Sequence, residues 1–252
     1  MSKNAQANVM TALPALALAL AFIASGFAVC AGIPATTEVL SRATSTEELS
    51  PFTRDQLVEA ALATRAYTVE GTERDELADV VARINRDAAT PYADATRAEL
   101  DAAPDAYALP PDALDHLDDV HAVIERVMPA LFGCAVLAAF CLMVTMRQFP
   151  IRAVGRALFF AGCGVIVVFA LLGAWVMIDF SSFFAVFHSL FFAAGTWTFP
   201  YDSLLICMYP QAFWMGMGAV WLATAVALSI LSVVFGILLT KKGKRADRQR
   251  NA

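Results

Sequence analysis

Residues 127–146, VMPALFGCAVLAAFCLMVTM, carry no Asp, Glu, Lys or Arg and lie between Arg126 and Arg147. A helix of about 20 residues rises about 30 Å, the thickness of a bilayer's hydrocarbon core. Three more runs share this property, between Lys3 and Glu38, between Arg156 and Asp179, and between Asp202 and Lys241. Across 252 residues, 59% of the letters are hydrophobic and 16% charged, with a mean hydropathy of +0.61. That balance excludes a water-soluble enzyme. The sequence therefore predicts an all-α membrane protein with four transmembrane helices, near Thr11–Ile33, Val127–Met146, Ala157–Ile178 and Ala212–Thr240. A cleaved signal peptide is a second reading of the first run, but the run is longer than an ordinary signal core and lacks an A-x-A site.

Charge sets the expected topology. The segment 34–126 holds 20 acidic and 8 basic residues, whereas Lys3, the connection from Arg147 to Arg156 and the tail from Lys241 hold the other 10 basic residues. By the positive-inside tendency both termini and that connection are cytoplasmic, while 34–126 and 179–202 face outside. The expected organisation is a cytoplasmic N-terminus and first span (1–33), then a mainly helical acidic extracytoplasmic segment (34–126). The second and third spans with a short basic loop (127–178) precede an aromatic extracytoplasmic loop (179–211). The fourth span (212–240) leads into a basic cytoplasmic tail (241–252). A net charge of -5 without a basic face argues against nucleic acid as partner. The five cysteines form no CxxC pair and lie in or beside apolar runs, so they read as small core hydrophobes rather than as a disulfide framework or metal site. No cofactor is expected.

Within the acidic segment, Thr53-Arg-Asp-Gln56 and Thr72-Glu-Arg-Asp75 have capping-box spacing. The first predicts a helix through Leu57, Ala61, Leu62 and Arg65 that stops at Gly71. The second predicts one whose buried stripe is Leu77, Val80, Val81 and Ile84. The Ala-, Asp- and Pro-rich stretch 88–111 reads as a mobile linker or a loop. Asp112 is expected to cap a helix that carries His116 and His121 on into the second span.

The three histidines all fall on the predicted outer side. His116 and His121 are about 140° apart on one helix, so they cannot share a face. His121 reads as a surface side chain paired with Asp118 or Glu125, whereas His116, flanked by Asp112 and Asp119, sits at the expected membrane boundary. His188 lies in the aromatic-dense stretch 179–200, where a structural, hydrogen-bonded histidine and a functional one are both open. Asp202 is the natural carboxylate to orient it but is equally placed to cap the following segment, and Asp179, at the end of the third span, is a weaker candidate. No G-x-S-x-G, H-E-x-x-H or H-x4-D pattern in credible context supplies a nucleophile. Two imidazoles from different elements suit acid and base work on a lipid-linked bond, and a bis-histidine haem is the other reading.

The runs Phe187-His188-Ser-Leu-Phe-Phe, Trp197-Thr-Phe-Pro-Tyr-Asp202-Ser-Leu-Leu-Ile and Pro210-Gln-Ala-Phe213-Trp214 resemble the signature of the bacterial lipoprotein intramolecular transacylases. Asp115-His116-Leu-Asp-Asp119-Val120 resembles that family's second motif, at the start of its second span. Gln211 departs from the pattern, which has an acidic residue after the proline, and the outer segment is longer and richer in Ala.

The resemblance implies a membrane acyltransferase acting on diacylglyceryl-modified lipoproteins within membrane lipid. The sn-2 acyl chain moves to the α-amino group of the lipoprotein's N-terminal cysteine, giving a lyso-form. The family's two histidines fall on His116 and His188, with Asp119, Asp202, Trp197 and Tyr201 as possible supporting residues. Tyr201 and Trp197 are the nearby candidates for an oxyanion donor. Two other classes stay open: another outer-leaflet acyltransferase or esterase, and a non-catalytic envelope binding protein. The oligomeric state is not legible.

Overall fold

In the computed structural model the backbone is described for residues 3–250 and the side chains for 11–249. The Lys3 side chain, used above for topology, and the extreme ends of the predicted N-terminus and basic tail lie outside the described residues. The elements are α1 (Lys3–Gly32), α2 (Pro34–Thr44), α3 (Arg54–Arg65), α4 (Arg74–Asp87), α5 (Arg97–Asp101), α6 (Pro111–Gln148), α7 (Ile151–Ile178), α8 (Phe180–Ser189), α9 (Leu204–Met208) and α10 (Gln211–Arg250). No strand occurs among the described residues. Four helices, in α1, α6, α7 and α10, are long and apolar enough to cross a membrane, as the charge-free runs predict.

The chain divides into two compact units. The span unit comprises residues 1–29, 128–180 and 220–252. It packs on small residues: Ala15, Ala17, Leu18 and Ala21 of α1 meet Ala138, Cys141, Ala157 and Ala161. In lipid there is little hydrophobic gain from joining helices, so close approach of backbones supplies the attraction. Gly236 of α10 lies so near α7 that a Cβ would stand 2.7 Å from both Gly155 O and Phe159 N. Polar side chains in this unit pair at home. Ser25, Thr145, Ser229 and Thr240 each donate to the carbonyl four residues back, Ser232 donates to Leu158 O, and Trp221 Nε1 donates to Ile23 O at 2.8 Å.

The site unit comprises residues 30–127 and 181–219, so the two segments predicted to face outside belong to one body. Its core gathers Phe52, Leu57, Ala61, Leu77, Val81 and Ile84 with Leu117 of α6 and Leu204, Cys207 and Met208 of α9. Each fully buried Leu or Ile there contributes about 1.5–3 kcal/mol. Backbone bonds lock α9 in place, from Leu204 N to Asp105 O at 2.7 Å and from Thr46 N to Cys207 O at 3.1 Å.

The predicted capping box at Thr53 and Gln56 forms, and α3 runs on through a π turn to Gly71 at φ 71°. The second box does not form. Glu73 caps α4 without a side-chain bond, while Asp75 pairs with Arg97 at 3.3 Å. Asp112 is not the cap either. α6 already begins at Pro111, whose fixed φ suits the first helical position, and Asp112 Oδ1 accepts from Ala113 N.

Stretch 88–111 is pinned rather than mobile. Buried Asn85 donates to Tyr107 O at 2.8 Å and accepts from Thr90 Oγ1, α5 has a full capping box from Thr96 and Glu99, and Leu100, Ala103, Ala108 and Leu109 are buried. The basic connection shrinks to Phe149 and Pro150, because the proline disfavours helix at the residue before it and then serves as the N-cap of α7. The aromatic loop contains two helices, α8 and α9.

Candidate functional site

Two elements of the site unit present the two imidazoles. On α6, Ala113 and Leu117 are buried in the core, which directs the neighbouring stripe, His116 included, inward. On α8, His188 is the penultimate residue of the helix, which ends where Phe191 N and Phe192 N both donate to His188 O at 3.0 and 2.9 Å. The chain then turns through Ala193–Thr196. Gly195 has φ +89°, a left-handed conformation that L side chains rarely adopt, and this turn delivers Trp197 back to α8.

The His116 and His188 ring centroids stand 6.4 Å apart with planes 27° from parallel. Aromatic rings enclose the pair. Phe192 touches both, at 4.9 Å from His116 and 5.6 Å from His188; Phe199 lies 5.7 Å from His116, and Phe184 and Trp197 lie 3.9 and 4.8 Å from His188. Both histidines are buried.

Burial in this apolar surround sets the protonation states. It pushes His116, which precedes the charge-free part of α6, down to about 4; a positive His188 would push the same way, and Asp119 opposes. Burial also lowers His188, with the hydrogen bond to Phe184 O working against it. Both imidazoles are therefore neutral near pH 7. His188 Nδ1 lies 2.9 Å from Phe184 O. A carbonyl can only accept, so Nδ1 carries the hydrogen and Nε2 keeps its lone pair. Two other nitrogens are uncommitted. His116 Nδ1 and Trp197 Nε1 are buried without a hydrogen-bond partner among the described residues. An orphaned buried polar group costs about 1–3 kcal/mol.

The profile of the family described as lipoprotein intramolecular transacylase Lit matches residues 61–214, a stretch that includes both imidazoles and Trp197. The chain belongs to this family. It is accordingly a multi-pass membrane acyltransferase of lipoprotein modification. The in meso structure of the membrane integral lipoprotein intramolecular transacylase Lit from Bacillus cereus is similar in fold, with a TM-score of 0.68 and 16% identity over 96% of this chain and 100% of that one. Two single-histidine variants of that protein are also similar. The arginine variant has a TM-score of 0.62 and 16% identity, covering 97% of this chain and 96% of that one. The alanine variant has the same TM-score and identity, covering 96% of this chain and 97% of that one. No curated protein sequence matches.

Of the site residues expected from the Lit-like motifs, His116, His188 and Trp197 are brought together, and Asp119 reaches His116 through its field rather than a hydrogen bond. Asp202 and Tyr201 are not joined to either imidazole. Both are exposed, Tyr201 by 71%, and the expected orienting carboxylate of His188 is instead the Phe184 carbonyl. His121 has a structural role, but with a different partner from the one expected: its Nδ1 meets Thr68 O at 3.1 Å, and Asp118 accepts from the Tyr67 hydroxyl. Phe184, Phe192 and Phe199 were not singled out in the sequence. The available signal was spacing, because Phe184 and Phe192 lie four residues either side of His188. Among the described residues no cluster of three or more His, Cys, Asp or Glu could hold a metal ion.

Proposed function

We propose that this Lit-family chain moves the sn-2 acyl chain of a diacylglyceryl-modified lipoprotein onto the α-amino group of the same N-terminal cysteine, at the outer leaflet. The facing pair of buried, neutral imidazoles in an aromatic surround carries the reading. Ester and amine belong to one molecule, so proximity supplies much of the barrier reduction and no acyl-enzyme is required. The amine nitrogen attacks the ester carbonyl carbon, the C–N bond forms, and the carbonyl electrons move onto oxygen. His188 Nε2 takes the proton from nitrogen. As the oxyanion collapses, the C–O bond to glycerol breaks and His188 returns the proton to the glycerol oxygen.

The committed Nδ1 of His188 is why it, rather than His116, is assigned as base: one nitrogen is fixed as donor and the other is left free to accept. His116, neutral and 6.4 Å away, hydrogen-bonds the substrate beside the departing glycerol oxygen. The apolar rings keep water from competing with the amine for the acyl group. Cytoplasmic termini and histidines on the outer side are the orientation that the basic connection and tail favour, by the positive-inside tendency.

The test is tandem mass spectrometry of an abundant lipoprotein's N-terminal peptide, from cells otherwise unable to N-acylate that express this chain or its His188→Ala form. The intact chain yields the N-acyl, S-monoacylglyceryl peptide, and His188→Ala lowers its formation by about 10²–10⁴-fold. Equal yields from the two would remove the mechanism, and free fatty acid in place of the lyso-form would indicate an esterase.

A further inference from the structure

A general base leaves one half of the acyl transfer unattended, because negative charge develops on the carbonyl oxygen when nitrogen adds. Of the hydrogen-bond donors around His188, most are already engaged. Phe191 N and Phe192 N both serve His188 O, Thr196 N serves Ala193 O at 3.3 Å, and His188 Nδ1 serves Phe184 O. The Tyr201 hydroxyl belongs to a side chain that is 71% exposed. Trp197 is different. Its ring lies 4.8 Å from the His188 imidazole and 6.1 Å from Phe184, and its Nε1 is buried with no partner among the described residues. Buried indole N–H groups ordinarily find an acceptor, as Trp221 Nε1 does on Ile23 O at 2.8 Å in the same chain.

We propose that the indole Nε1–H of Trp197 is the hydrogen-bond donor that takes the developing oxyanion of the transferred acyl group. The proposal rests on the transacylase reading above and adds the group that stabilises its intermediate. The donor is held before substrate arrives, by the turn at Gly195 and by packing on His188, so no reorganisation is needed at the moment of reaction. The surround of Phe184, Phe192 and Phe199 makes an N–H to oxyanion bond stronger than it would be in water. In the resting protein the orphaned donor is a local liability. In the tetrahedral intermediate it gains its partner, and that difference between the two states is what accelerates a reaction.

The experiment uses the purified full chain in phospholipid vesicles with a synthetic diacylglyceryl lipopeptide, and measures kcat, KM and thermal denaturation. It compares wild type, Trp197→Phe, a chain with benzothienylalanine at position 197, which keeps the bicyclic shape but lacks the N–H, and Trp221→Phe. Both replacements at 197 should lower kcat by about 100-fold, with KM within about threefold of wild type and a pH profile of unchanged shape. The benzothienyl chain should not lower the denaturation temperature, because it keeps the bicyclic shape and no existing bond is lost, whereas Trp197→Phe also gives up ring contacts with His188 and Phe184. Trp221→Phe should do the reverse, keeping kcat and melting earlier. The benzothienyl chain isolates the N–H if Trp197→Phe fails to fold. A benzothienyl chain with kcat within twofold of wild type, or one whose loss lies entirely in KM, overturns the proposal while leaving the transacylase reading standing. A wild-type chain that makes no N-acyl product overturns both.

Discussion

Trp221 and Trp197 occupy the two units of one chain and treat the same chemical group differently. Trp221, in the span unit, donates to Ile23 O and packs so closely on α1 that a Cβ at Gly26 would lie 2.3 Å from its ring. Trp197, in the site unit, keeps its N–H buried beside His188 with no partner among the described residues, and His116 keeps Nδ1 in the same condition. The span unit's polar groups are set into its helices so that apolar surroundings cost little. The site unit tolerates orphaned atoms because a core of Leu57, Leu77, Ile84 and Leu204 stabilises the fold around them. Substitutions in the first unit should therefore act on stability, and substitutions around the imidazoles on chemistry.

The hardest strain on that division comes at Gly236. A Cβ there meets backbone, not a flexible side chain, at 2.7 Å from Gly155 O and from Phe159 N. Gly236→Leu cannot be absorbed by a rotamer change, so α7 and α10 must separate. The expected loss is about 3 kcal/mol, at the upper end for overpacked interiors. Thermal denaturation in detergent measures it, and whatever fraction remains folded should retain wild-type kcat. A folded Gly236→Leu chain with wild-type melting would show that this close approach contributes nothing, and one with normal melting but impaired chemistry would dissolve the distinction between the units.

Acid should act on the site unit. The sign follows from His116, whose folded pKa of about 4 lies below its ordinary 6.5. The unfolded chain binds more protons between those values, so this contribution to stability is full above about pH 6.5 and is lost as pH falls towards about 4. His188 shifts in the same direction. Melting temperatures measured between pH 7.5 and 4.5 should fall, and His116→Leu should flatten the part of the slope above pH 5, where carboxylates contribute least. A slope unchanged in that variant would mean that His116 is solvated in the folded state.

How much of this was legible in the sequence depends on whether the cause is local. The four spans were, since lipid demands long charge-free runs and nothing distant can substitute for them. His116 and His188 were, because each stands in a motif. The partner of His188 was not: Asp202 looked like its orienting carboxylate, but a helical histidine near a C-terminus can reach the carbonyl of Phe184 without a carboxylate. α2 and the pinning of stretch 88–111 were not legible, for a related reason. Asn85 and Thr46 hold the chain through bonds to Tyr107 O and Cys207 O, which no window of residues contains. Trp197 could be named as a neighbour of the site, but an unpaired N–H is a property of packing and appears only when the surround is built.

The smallest expected effect is the sharpest check on what counts as the site. Asp202 and Tyr201 stand in the same motif as Trp197, a few residues further along the chain, and both are exposed. Asp202 makes its influence felt on Cys207, raising its pKa as one of several minor contributions after burial, and no bond joins it to an imidazole. Solvent screening reduces such surface charges to little. Asp202→Asn and Tyr201→Phe should each leave kcat within about twofold of wild type, an energy of about 0.4 kcal/mol or less at the transition state. Vesicle kinetics of the N-acyl product measure this directly. A larger drop in Asp202→Asn would mean that the loop closes over substrate and brings the carboxylate to His188, so that the aromatic surround is completed only in the complex. A drop in Tyr201→Phe equal to that in Trp197→Phe would move the oxyanion donor to the phenol and leave the orphaned indole without a function.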